Sequence, residues 1–171
     1  MAAAMLGQAV AADAPSEYQL KAVFLFNFSH FVEWPPRQFS SPTDPFVIGI
    51  LGEDPFGSRL QEAIRGERID SHPLVVRRYR NAGELGSCQI LFIDRSLAPS
   101  LGEILHELNQ RATLTVSELD AAAEQGVMIQ FVTENNRIRL RINADAARAA
   151  GLSISSKLLH LADIVGTTRG D

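Results

Sequence analysis

The run CQILFID, residues 88–94, is apolar almost throughout and ends on an aspartate. Such a strand hides both of its faces, as a central strand does in a parallel sheet covered by helices on either side. Its neighbours fit that frame. Phe46 to Leu51 forms a similar buried run, PLVVRRY (73–79) and TLTVS (113–117) supply two more, and helical stretches fall between them. In the helix expected over 55–65, Phe56, Leu60, Ala63 and Ile64 share one face. In that expected over 97–108, Leu101, Ile104, Leu105 and Leu108 point inward, and a short helix follows at 118–124. Strands alternating with helices predict an α/β fold: a mainly parallel central sheet flanked by helices, doubly wound and Rossmann-like.

The rhythm breaks toward the C-terminus. VMIQFV (127–132) and RIRLRIN (137–143), joined by turn residues, predict an antiparallel hairpin. Asn143 is placed to cap a helix that Gly151 ends, and Ser153 or Ser155 to open a last helix over 155–165. At the other end, KAVFLFNFSHFVEWP (21–35) carries four phenylalanines and a tryptophan. The pattern is helical from Ser16 to Trp34, with Trp34-Pro35-Pro36 as the stop. Apolar residues take up most of its circumference, leaving a narrow polar stripe through Asn27, His30 and Glu33. A helix of this kind needs cover on more than one side, from its own domain or from a second protein.

With 171 residues, 46% of them hydrophobic, the chain reads as one domain over 16–166, followed by a disordered tail at 167–171. A net charge of −4 gives no broad footprint for nucleic acid. No apolar run reaches the roughly 18–20 residues of a membrane span, so direct membrane insertion is not expected. Residues 1–15 are alanine-rich, and Ala9-Val10-Ala11 matches an A-x-A cleavage pattern. They read either as the remnant of a signal peptide or as a disordered extension. Cys88, the single cysteine, cannot form an internal disulfide.

Residues able to carry chemistry are sparse. In a doubly wound sheet, a ligand crevice lies beyond the C-terminal ends of the strands, and those ends offer Asp54, Asp94 and Ser117. One reading is a pocket for a small ligand; another is a Mg²⁺ or phosphoryl site; a third is ordinary helix capping. The phosphoryl reading lacks the lysine it would want after the fifth strand, where the sequence is FVTENN. The four histidines are scattered and the phosphate-loop fingerprints are missing, so no catalytic residue, metal site or cofactor is assigned. Arg137, Arg139 and Arg141 alternate with Ile138, Leu140 and Ile142, which sets three guanidinium groups on one face of a strand. That row reads as a docking strip for an acidic partner, or as charges that keep an edge strand from pairing.

Seven blocks together resemble one family: KAVFLFNFSHFVEWP (21–35), IGILGEDPFG (48–57), PLVVRRY (73–79), CQILFIDRS (88–96), LTVSEL (114–119), GVMIQFVTENNRIRLRIN (126–143) and AARAAGLSISSKLLHLADIV (146–165). In order and spacing they are similar to the YfiR family of small periplasmic proteins, over about residues 17–166. The resemblance implies a non-enzymatic α/β protein that self-associates as a homodimer. It also implies export to the periplasm and repression of an inner-membrane diguanylate cyclase by docking on its periplasmic sensor domain. Release of such a repressor raises cyclic di-GMP and favours biofilm growth. The disulfide control known in that family does not carry over to a chain whose one cysteine is Cys88. On the matching blocks, the expected partner-binding residues are Asn27, Phe28, Phe31, Glu33 and Trp34 of the first helix, with Arg137, Arg139 and Arg141 of the hairpin.

Overall fold

The computed structural model describes residues 14–166; the A-x-A stretch and the tail fall outside the described residues. In chain order the elements are α1 (Glu17–Phe31), β1 (Val32–Glu33), β2 (Phe46–Leu51), α2 (Arg59–Ile64), β3 (Arg68–Ile69), β4 (His72–Tyr79), β5 (Ile90–Ile93), α3 (Leu101–Glu107), β6 (Leu114–Ser117), α4 (Ala122–Gln125), β7 (Ile129–Glu134), β8 (Arg137–Ile142), α5 (Ala144–Ala149), β9 (Ser153–Ile154), α6 (Ser156–Leu159) and β10 (Ala162–Ile164). Short 3-10 turns at Pro36–Gln38, Ala82–Glu84 and Arg95–Ser100 fill some of the connections.

Eight strands form one sheet in the order β10-β8-β7-β6-β5-β2-β4-β3. β4, β5, β6 and β7 run parallel with β2, directly or through a neighbour, and β7 and β8 make the expected antiparallel hairpin. The chain therefore winds outward from β2 in both directions, which is the doubly wound arrangement. Alternation along the strands divides the core in two. Ile48, Ile50, Phe92, Val116 and Phe131 pack under α1 and α2, while Val47, Leu51, Leu91 and Ile93 pack under α3. On that second face Gly49 is needed for its lack of a side chain. A Cβ there would lie 2.8 Å from Cys88 Sγ and 2.9 Å from the Tyr79 ring.

The two ends of the domain depart from the sequence expectation. The first helix stops at Phe31, because Val32 turns extended and Val32–Glu33 pairs antiparallel with Ser153–Ile154. A downstream partner, rather than Pro35, decides where that helix ends. The last helix, expected over 155–165, is only α6; Ala162–Ile164 instead adds a parallel strand beside β8, in register with Leu140–Ile142. The apolar residues of 158–165, expected on one helix, are thus shared between a short helix and a strand. β8 is consequently not an edge strand over residues 140–142, and β10 takes that position. The helix expected over 55–65 begins at Arg59, since Asp54 accepts from the amides of Phe56 and Gly57 and holds 55–57 in a turn. That expected over 97–108 is 3-10 up to Ser100, where Pro99 interrupts α geometry. α4 is likewise shorter than expected, starting at Ala122.

Candidate docking surface

α1 opens on a complete capping box: Ser16 Oγ accepts from the Gln19 amide, and the Gln19 side chain accepts from the Ser16 amide. From there Ala22, Leu25, Phe28 and Ser29 turn onto the sheet. The flanks are covered as well, Tyr18 meeting Phe56 edge-on at 5.6 Å and Phe24 meeting Phe131 at 5.9 Å. What is left outward is apolar: Leu20 is 39% and Val23 47% exposed. The wide greasy circumference read from the sequence is therefore hidden only in part.

The nominated residues of this segment separate into three groups. Phe28 is wholly enclosed and stacks on Phe131 at 6.0 Å, so its ring belongs to the core and not to a surface. Burying such a ring stabilises the fold by about 2–3 kcal/mol. Asn27, Phe31 and Trp34 are half-buried, and Glu33 is exposed. Trp34 is fixed from two directions: Nε1 donates to the Gln89 carbonyl at 3.0 Å, and the ring stands edge-on to Phe46 at 5.0 Å.

Around Trp34 lie two adjoining clefts, of about 530 and 390 Å³, that share Trp34, Phe39, Asp70 and His72. His30 and Glu33 rim the larger one. Phe39 and His72 stack at 3.7 Å with an interplanar angle of 16°, and His72 Nδ1 is 2.6 Å from the Asp44 carbonyl. Since a carbonyl only accepts, Nδ1 is the protonated nitrogen. Nothing in the local sequence pattern points to Phe39, Asp70 or His72. Phe39 and Asp70 come from the loops before β2 and β4 and His72 from the first residue of β4, which only the folded sheet brings to Trp34.

Arg137, Arg139 and Arg141 do share one face of β8, as the alternation predicts. It is the face turned away from α1, because Ile138, Leu140 and Ile142 take the α1 side. The row is partly neutralised: Arg141 pairs with Glu124, and Arg139 with Glu134 at 3.6 Å. Thus the aromatic cleft and the arginine row do not form one surface.

Asp54, Asp94 and Ser117 do line up at the ends of β2, β5 and β6, but each is engaged locally. Asp54 pairs with Arg78 at 2.5 Å besides its turn amides. Asp94 accepts from the Ser96 amide, and Ser117 Oγ donates to the Ile93 carbonyl and accepts from the Leu119 amide. Beside them stands a buried ionic cluster that the sequence does not announce. Glu118 accepts from Lys21 (2.5 Å), Tyr18 (2.9 Å) and Arg95 (3.0 Å), and Lys21 also reaches Glu17. Hydrogen bonding to Lys21, then to Thr133, lowers the Glu17 carboxyl below its ordinary range, while burial and the bond to Glu118 push the Tyr18 phenol up to about 12. Among the described residues no group of three or more His, Cys, Asp or Glu could hold a metal ion.

Residues 18–163 match the model of the YfiR/HmsC-like family. The chain belongs to that family. No curated protein matches it. In this YfiR/HmsC-like chain no described helix is long and apolar enough to cross a membrane.

Proposed function

We propose that this chain is a periplasmic binding protein that represses an inner-membrane diguanylate cyclase by docking on the cyclase's periplasmic sensor domain, without catalysing a reaction of its own. The docking surface in this reading is the Trp34 cleft, with His30, Glu33, Phe39 and His72 around the tryptophan; Asn27 and Phe31 do not line it. Family membership supports a regulator of this kind. The observation that carries the choice of surface is Trp34 itself: a half-buried ring, held by a hydrogen bond and an edge-on contact, at the border of an open cleft. Rigid aromatic anchors of this kind supply most of the binding energy in protein interfaces.

Calorimetric titration of the purified chain with the cyclase's periplasmic segment tests the reading. Wild type forms a complex, and Trp34→Ala weakens it by about 2 kcal/mol or more, close to thirtyfold. The absence of any complex, together with unchanged cellular cyclic di-GMP on deletion, sinks the regulator reading. A loss seen in an R137A/R139A/R141A variant and not in W34A moves the surface to the opposite face.

A further inference from the structure

A further cleft borders the Trp34 clefts through Pro35 but faces a different part of the sheet. It measures about 830 Å³ and opens at the N-terminal ends of β5 and β6, between the 3-10 turn that holds Arg37, the approach to β5 at 85–88, the approach to β6 at 110–113 and the end of α5. A doubly wound sheet is expected to take ligands at the other end of its strands. There, however, Asp54, Asp94 and Ser117 are engaged in turns and ion pairs.

The chemistry of this cleft is one-sided. Its lining includes two arginines, Arg37 and Arg111, and no aspartate or glutamate. Neither guanidinium has an ion-pair partner among the described residues. In a chain whose net charge is −4, two arginines without ion-pair partners lining one concavity are a local reversal of sign. Neutral donors accompany them. Gln38 spends its amide oxygen on Gln89 Nε2 at 3.2 Å, which leaves its own NH₂ as a donor, and Ser87 and Gln110 add a hydroxyl and a second amide. The volume is that of a metabolite-sized site.

We propose that this cleft binds a small organic anion whose carboxylate or phosphate groups bridge Arg37 and Arg111. Guanidinium forks match both kinds of oxyanion, so the arginines define the shared chemistry and not the parent molecule. The site does not depend on the docking reading. It is reached from the turn directly after Trp34, so occupancy is in a position to bear on that surface.

The test is calorimetric titration at low salt of the full chain with two probes, succinate for the carboxylate class and inorganic phosphate for the phosphate class. The variants are Arg37→Gln, Arg111→Gln and, as a control exposed elsewhere, Arg65→Gln. All three positions are exposed, and circular dichroism confirms that each variant is folded. Wild type is expected to bind one equivalent of at least one probe, and the stronger of the two assigns the class. R37Q and R111Q each raise the Kd about tenfold, while R65Q leaves it unchanged. Binding of neither probe overturns the proposal. So does binding that R37Q and R111Q leave intact, or that R65Q weakens as much as they do.

Discussion

Lys21 and Glu118 are 97 residues apart in sequence and 2.5 Å apart in space. Their side chains are 1% and 2% exposed, so the pair is desolvated on both sides. Removing one member of such a pair leaves an uncompensated charge in the interior, which costs far more than the net worth of the pair. Glu118→Gln is therefore expected to lower the unfolding free energy by about 3 kcal/mol in urea titration. Arg95→Gln removes a partner that is 65% exposed and is expected to cost under about 1 kcal/mol. Equal losses for the two would show that the buried pair has no special weight. None of this could be read beforehand. A lysine in an aromatic helix and a glutamate after a strand look like two surface charges until α1 is laid over the ends of β6 and β7.

At the scale of elements, legibility followed the kind of signal each segment carries. The β2 strand is legible to the residue, and the hairpin is legible as a hairpin, because continuous apolar runs and strict alternation depend on the local chain alone. The missed strands have another cause: β1, β9 and β10 exist only through partners far along the chain. In isolation KLLHLADIV carries as much helical as extended pattern. The candidate surface was legible for the same reason and to the same extent. Trp34 stood out by type, whereas Phe39 and His72 needed the fold. The strands also differ in what they bear. Ile142 of β8 is enclosed, while its register partner Ile164 in β10 is 55% exposed. Ile142→Ala is expected to destabilise by about 2–4 kcal/mol and Ile164→Ala by no more than about 1, measured by chemical denaturation. A large loss at Ile164 would mean that the outer strand is covered in solution.

At the scale of the molecule, three groups tie stability to alkaline pH. Burial pushes the Cys88 thiol up to about 12 and the Tyr18 phenol up to about 12, and burial raises Tyr79 as well. Each holds its proton more tightly in the folded chain. Between the ordinary range and the raised value, the unfolded chain binds fewer protons than the native one, so stability falls as pH rises. For Cys88 the loss begins near pH 9 and continues toward pH 12. Denaturation midpoints should therefore decline through that window, and Cys88→Ala should flatten part of the decline. A midpoint that stays level over the same range in wild type would contradict the buried thiol.

The pairing of Val32–Glu33 with Ser153–Ile154 has a temporal meaning. The Ser155 amide donates to the Phe31 carbonyl at 2.7 Å, so the opening helix receives its closing stitch from nearly the last part of the domain to leave the ribosome. Until then a nascent chain carries its most aromatic segment with one end untied.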